Sequence, residues 1–321
     1  MHALRRVVRA ASPAVKVSAG IAVLSVLVVG AATWRFAESR RGADTTAGNV
    51  SPIVAHNGRQ RGSRTPPGPA ADAYDRQVLS LGPVLYLTMA HPLAGTEEDL
   101  SGHGHDGVYF PRHRLPAQVR LPNGDAAAEF DGHGQYLQVR SADALSVTRT
   151  GCLTVEAWIR PMTLQFPQAQ GSGYVYVLGK GTPGEQEYAI RMYSYFNSEH
   201  PVRPNRVSGY VFNPRGGKGS GAYFQDKLTV GQWMMVTLVI DSRSTPAWPY
   251  GYVAIYKNGQ KPDQVSLSQY EVRPQAASAP LRIATRDLDS YFEGAVAKVA
   301  VYDYVLSAAD IAGTYSMMHK K

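Results

Sequence analysis

Cysteine is almost missing. Cys152 is the single one in 321 residues, so no disulfide can close within the chain, and a small stapled secreted scaffold is excluded. Cys152 opens an apolar run, where it reads as a small buried residue. No cation or helix start stands beside it to hold a reactive thiolate. A Gly-x-Ser-x-Gly elbow, a phosphate-binding glycine loop and a His-Glu-x-x-His helix are also lacking. Their absence removes the sequence-level warrants for serine-hydrolase, nucleotide-dependent or zinc-peptidase chemistry. Acidic residues are scarce near the N-terminus. Of 33 Lys and Arg, ten fall in residues 1–64, against only Glu38 and Asp44 of the 25 acids. That segment carries the whole formal net charge of +8, and the remaining 23 basic and 23 acidic residues cancel. A folded part without net positive charge lacks the footprint that phosphate-backbone binding needs, which excludes nucleic acid as a partner.

What is present starts with a basic stub, residues 1–16. An uncharged, largely apolar run, residues 17–34 (VSAGIAVLSVLVVGAATW), follows it. Its length is close to the ~20 residues that cross a bilayer, with Trp34 at the outer boundary and the basic side kept in the cytoplasm. The expectation is a transmembrane signal-anchor, placing the chain in the cell membrane as a single-pass protein with its C-terminal domain outside. The second reading is a long signal peptide cut near Gly30-Ala-Ala32 and a secreted product; the run exceeds the usual h-region, which favours the anchor. Residues 35–78 are rich in Gly, Pro, Ala, Arg and Thr and are expected to be a disordered linker.

From Leu79 on, β-branched and aromatic runs alternate with Gly, Pro and Asn-Gly breaks. Strands are expected near 84–89, 107–110, 126–131, 134–140, 151–160, 173–179, 186–193, 206–213, 220–225, 232–241, 251–257, 265–269, 280–285 and 292–302. Lys257-Asn-Gly-Gln260 predicts a two-residue hairpin turn. The run Trp233 to Ile240 is apolar on both faces, which predicts a central strand with one face in the core and the other under loops. In the last strand Ala295, Ala297, Val299 and Val301 fall on one face at period two, and Gly294 marks a close backbone approach. Ser307 with Asp310 predicts a capped helix start, and Ile311 and Tyr315 follow at helical spacing. The fold class read from this order is all-β: one two-sheet antiparallel sandwich over 79–317 with a short C-terminal helix.

Five segments give that sandwich a resemblance. They are Asp99-Leu-Ser-Gly-His-Gly-His-Asp-Gly107, Ala128-Glu-Phe-Asp-Gly132, Leu153-Thr-Val-Glu-Ala-Trp-Ile-Arg-Pro161, Gly231-Gln-Trp-Met-Met-Val-Thr-Leu-Val-Ile-Asp241 with Val253-Ala-Ile-Tyr-Lys-Asn-Gly259, and the closing stretch Pro280 to Tyr315 with its Phe292-Glu-Gly294. In series they resemble laminin-G-like domains of the concanavalin A-type jelly rolls. The resemblance implies a jelly-roll topology and a scaffold that hosts both lectins and glucanases; fold alone does not choose between them.

Candidate sites follow. The loop from Asp99 to Gly107 offers Asp99, Ser101 and Asp106 as hard oxygen ligands, which suits a structural Ca²⁺, and similar domains often carry one near such loops. The competing reading is a turn held by side-chain to backbone hydrogen bonds. His103 and His105 lack a third partner at zinc spacing. The glucanases of the wider superfamily carry a Glu-x-Asp-x-Glu strand with alternate acids in one cleft. This chain has none; Glu185-Gln-Glu187 is its nearest pair, and no catalytic residue is expected. The binding face is expected among Tyr188, Arg191, Tyr193, Tyr195, Asn213 and Arg215, in a stretch that also holds Arg203, Tyr210 and Tyr223, with Trp248 and Tyr250 on a second loop. Flat rings beside amide and guanidinium donors are what a sugar needs. The sequence thus points to a non-enzymatic binding module for a glycan or for a glycosylated or other protein partner. A hydrolase or lyase with an unrecognised site and a purely structural adhesion domain are the alternatives.

Overall fold

Strands that are apolar on both faces need cover on both sides, and the architecture supplies it. The computed structural model describes residues 72–319, apart from 167–168, 172, 199–201, 214–218 and 225. The expected membrane span at 17–34 and most of the expected linker lie outside these residues. Among the described residues no helix is long and apolar enough to cross a membrane.

Strands are numbered in chain order. One antiparallel sheet contains β1 (Leu85–Leu87), β4 (Ala117–Arg120), β5 (Ala126–Asp131), β7 (Cys152–Pro161), β12 (Met234–Asp241), β13 (Tyr252–Lys257), β14 (Gln260–Ser266) and β16 (Glu293–Tyr302). Its order is β14-β13-β12-β7-β16-β5-β4, with β1 also paired to β16. The other contains β2 (Thr96–Glu97), β3 (Gly107–Phe110), β6 (Tyr136–Val139), β8 (Tyr174–Lys180), β9 (Tyr188–Tyr193), β10 (Val207–Val211), β11 (Ser220–Tyr223) and β15 (Leu281–Ile283). Its order is β11-β10-β9-β8-β15-β6-β3-β2. The expected strands are present except the one at 265–269, where β14 ends at Ser266 and Leu267–Tyr270 form a 3-10 turn; the sandwich is all-β with a short C-terminal helix.

Between the sheets Val155, Ile159, Leu238, Ile255 and Val296 meet Leu137, Val177, Ile190, Val207 and Leu281 in one core. Each such buried aliphatic side chain contributes about 1.5–3 kcal/mol relative to exposure. The outer face of the first sheet is apolar too, with Trp158, Met235, Val239, Ala297 and Tyr302 covered by helices rather than loops. These are α1 (Ala73–Ser80), with Tyr74, and α2 (Ala308–Met317), with Ile311. The α2 start has both hydrogen bonds of the Ser307–Asp310 capping box.

Three further expectations are corrected. The linker does not run to 78: Asp72 caps α1, and Tyr74 and Val78 are buried in the layer over the first sheet. Two short strands, β2 and β4, were not expected; at two and four residues they are too brief for a period to show. In β16 the alternation breaks. The register against β7 shifts between Ala297 and Ala300, and Lys298 takes φ 51°. This bulge puts Val296, Val299 and Val301 in the core and turns Ala297, Ala300 and Tyr302 outward. At the hairpin, Asn258 (φ 53°) and Gly259 (φ 77°) make the expected two-residue turn, with Lys257 opposite Gln260.

Candidate functional site

Helices cover the first sheet, so the outer face of the second sheet is the layer left to meet a ligand. Alternation decides which side chains stand on it. In β9, Tyr188, Ile190 and Met192 face the core, while Ala189, Arg191 and Tyr193 face outward. Neighbouring strands add Tyr174 and Tyr176 from β8, Ser208 and Tyr210 from β10, and Phe212 just beyond it. The Arg191 guanidinium lies 3.8 Å from the ring centre of Tyr210 and 4.4 Å from that of Tyr174. Arg286 lies 4.0 Å over Tyr176 and 5.1 Å from Phe212. Arg203 stands over Tyr193 and Tyr223, and its Nη1 donates to the Tyr210 hydroxyl at 2.6 Å. Stacking of this kind favours a cation most where water is excluded.

The other half of the face, over β15, β6, β3 and β2, is open. Phe110 and Tyr136 stack at 5.2 Å, with Tyr291 at 6.5 Å from Tyr136. Arg282 joins the halves: its Nε donates to Gln138 Oε1 at 2.9 Å and its Nη1 to the Arg286 carbonyl at 2.5 Å. Burial lowers the Arg282 pKa, against the opposing influence of Tyr136 and Asp287. Beside Gln138 lies a cleft of about 650 Å³, lined by Val108, Phe110, Arg112, Gln138, Arg140 and His105 among others. Apolar side chains, amide and guanidinium donors and the acids Glu97, Glu98 and Asp106 share its lining, a mix that small-ligand sites use.

The predicted ligand residues divide. Arg191 and Tyr193 belong to the arginine–tyrosine half, both buried. Tyr188 is corrected: it is wholly buried between the sheets, its hydroxyl donating to the Leu145 carbonyl at 2.9 Å. Tyr188 and Tyr193 are an odd number of residues apart, so one extended strand cannot show both to the same side. Tyr195 is 54% exposed on the loop after β9. The Asn213 Oδ1 accepts from the Arg273 amide at 2.8 Å. Arg215 lies outside the described residues. Trp248 and Tyr250 sit on the β12–β13 loop of the first sheet, with Trp248 against Tyr252 at 5.6 Å. They are not on the Arg191 face.

Sequence reasoning missed Phe110, Tyr136, Gln138, Arg282 and Arg286. For the first four the available signal was outward parity on short strands whose core partners, Tyr109, Leu137 and Leu281, are conspicuous; Arg286 lies in the turn after β15 and offered none.

In the loop proposed for calcium, the Asp99 Oδ1 accepts from the amides of Tyr86 (2.9 Å) and Ser101 (3.0 Å), and its Oδ2 from that of His105 (2.9 Å). The Asp106 Oδ1 accepts from the Asp99 amide at 2.9 Å, and the Ser101 hydroxyl lies 3.0 Å from His103 Nδ1. These are the side-chain to backbone bonds of the competing turn reading. Among the described residues, Asp72, Asp75 and Asp125 bring carboxylate oxygens within 4.8 Å of one another, but the Lys298 ammonium occupies that cluster.

The acids nearest to a catalytic pair are committed elsewhere. The Glu187 Oε1 accepts from Lys180 Nζ (2.5 Å), Ser146 Oγ (3.1 Å) and the Ala277 amide (2.8 Å). The Glu185 Oε2 accepts from Ser278 Oγ at 2.7 Å. Under the cleft, Glu97 accepts from Thr88 Oγ1, the amides of Ala90 and His91, and the Tyr109 hydroxyl.

Residues 131–312, more than half of the chain, match the family Laminin_G_3, described as the concanavalin A-like lectin/glucanases superfamily. The chain belongs to this family. No curated protein matches it by sequence. Among solved structures, this concanavalin A-like chain is similar to the binding domain of Paraclostridial Mosquitocidal Protein 1, with a TM-score of 0.54 and 13% identity over 74% of this chain and 52% of that one. It is also similar to the binding domain of botulinum neurotoxin DC in complex with SialylT, with a TM-score of 0.52 and 13% identity over 75% and 52%. The third is domain 4 of AbnA, a GH43 extracellular arabinanase from Geobacillus stearothermophilus, in complex with arabinotriose. There the TM-score is 0.51 and the identity 14%, over 73% and 98%. The chain spans about half the length of the toxin binding domains. At these identities the likeness is one of fold.

Proposed function

We propose that this concanavalin A-like chain is a non-catalytic carbohydrate-binding module, held outside the cytoplasm by its N-terminal apolar segment. The observation that carries this reading is the cleft on the outer face of the second sheet, which Phe110 and Val108 line together with Gln138, Arg112 and Arg140. A sugar ring offers an apolar face for the phenyl group and hydroxyls for the amide and guanidinium donors. Structural neighbours support it by analogy: one binds arabinotriose and another is in complex with SialylT. The chain enters the sandwich through α1, which packs on the opposite layer, so the cleft face stands clear of the entry point. Anchoring and export rest on the apolar run at 17–34 and the basic residues before it.

A glycan array followed by calorimetry on the full chain tests the reading. Saturable binding of at least one oligosaccharide is expected, without turnover. Failure to bind any saccharide, with sugar-independent capture of a protein, would replace it with an adhesion domain. Hydrolysis abolished by Glu185→Gln or Glu187→Gln would overturn its non-catalytic half.

A further inference from the structure

Arg191 and Arg286 present an unresolved account of polar groups. Both side chains are buried, at 6% and 2% exposure. Their guanidinium carbons lie 6.0 Å and 5.1 Å from the ring centre of Phe212, which makes them neighbours on one face. Nε of Arg191, and Nε and Nη1 of Arg286, have no hydrogen-bond partner. The donors that are used go to the Tyr193 hydroxyl at 3.0 Å from Arg191 and to Asp287 at 2.8 Å from Arg286. Asp287 is thus the sole carboxylate ion-paired with either guanidinium among the described residues, and Arg191 has none.

Ring stacking offsets part of the cost of burying a cation, but it leaves the in-plane N–H donors unmet. Buried donors in native structures are nearly always paired, and leaving one orphaned is costly, more so when it is charged. Three N–H donors unmet on one outer sheet face match a planar anion. A carboxylate accepts two parallel N–H bonds from a guanidinium fork and would neutralise the surplus charge. Tyr174, only partly buried, stands over Arg191 at 4.4 Å and covers the cluster on its outer side.

We propose that the Arg191–Arg286 cluster is a subsite for the carboxylate of an acidic saccharide. This deepens the carbohydrate-binding reading and rests on it: a polymer lying across the second sheet would set a neutral ring on Phe110 and an acidic one above Arg191 and Arg286. Uronates and sialic acids share the required chemistry.

The test uses the full chain labelled with nitrogen-15 arginine. Sodium glucuronate, galacturonate and N-acetylneuraminate are titrated in separate arms, with methyl glucoside and sodium sulfate as controls. The expected result is a saturable shift of the Arg191 and Arg286 Nε–H resonances by a uronate or by the sialic acid, and the responding arm identifies the source. Arg286→Gln is expected to lower the preference for that acidic sugar over its neutral analogue by about tenfold or more; if it does not fold, the wild-type resonances decide. Sulfate shifting both resonances as strongly as the sugars overturns the saccharide assignment. No shift in any arm, while neutral oligosaccharides still bind, overturns this inference alone. Loss of all saccharide binding overturns it together with the carbohydrate reading.

Discussion

Lys298 carries its ammonium from the bulge in β16 to Asp75 of α1, 2.6 Å from that carboxylate and 2.6 Å from Asp125. Asp75 also accepts from the Tyr86 hydroxyl, and Tyr74 stands over the ammonium at 5.7 Å. The helix at the entrance of the sandwich is tied to its last strand by one buried charge.

Removing that charge leaves two carboxylates without a cation in a buried setting. Lys298→Met is expected to cost about 3–5 kcal/mol in urea unfolding and to speed hydrogen exchange across residues 73–80. Adding Asp75→Asn should recover part of the loss. Equal losses in the single and double variants would show that the ion pair is not what holds α1.

Glu156 gives the stability a pH dependence. Burial pushes its pKa from 4.5 up to about 7, against the opposing hydrogen bonds from Tyr302 and Thr237. The unfolded chain releases this proton near 4.5 and the folded chain only near 7. The contribution of this group is therefore full below pH 4.5 and is lost as pH rises to about 7, by roughly 3 kcal/mol. Glu156→Gln should remove this decline, so that the variant is the more stable one at pH 8. Parallel pH profiles for the two proteins would assign the decline to other groups.

Gly294 opens β16 at φ 156°, and a methyl group there would come 2.5 Å from the Arg160 carbonyl oxygen. Backbone cannot yield as a side-chain tip does. Gly294→Ala should lose about 1–3 kcal/mol, seen as a lower unfolding midpoint. An unchanged midpoint would mean that β7 and β16 can separate without cost.

The Cys152 thiol is pushed up to about 12, first by burial and then by its hydrogen bond to Asp241. It should stay inert to a disulfide reagent at neutral pH and react at the rate of unfolding. Fast labelling of the native chain would contradict the burial.

Two aromatic substitutions separate the candidate faces. Phe110→Ala should weaken saccharide binding by about tenfold, whereas Trp248→Ala, on the first sheet, should leave it unchanged. Calorimetry with a saccharide found on the array measures both. The reverse pattern would move the site to the β12–β13 loop.

Legibility followed the range of the interaction. Strand positions, the Asn258-Gly259 turn and the Ser307 cap depend on neighbours a few residues away, so alternation, glycine and side-chain oxygens announced them. Gly294 was readable because a missing side chain at a strand start has few explanations. β16 went wrong at Lys298, where one extra residue reverses the face of all that follow. A sidedness pattern contains no mark of where such a residue sits.

The binding layer needed more than pattern. From the chain alone came a β sandwich, a charge-neutral folded part and a wealth of tyrosine and arginine, because these are properties of composition and of local backbone preference. Which tyrosines share a surface was decided by tertiary structure: Tyr188 went inward by parity, Trp248 went to the other sheet, and Arg286, nearly a hundred positions from Arg191, arrived beside it. Sheet order sets those neighbours, and sheet order is fixed by how two apolar layers close on each other, not by any short run of residues.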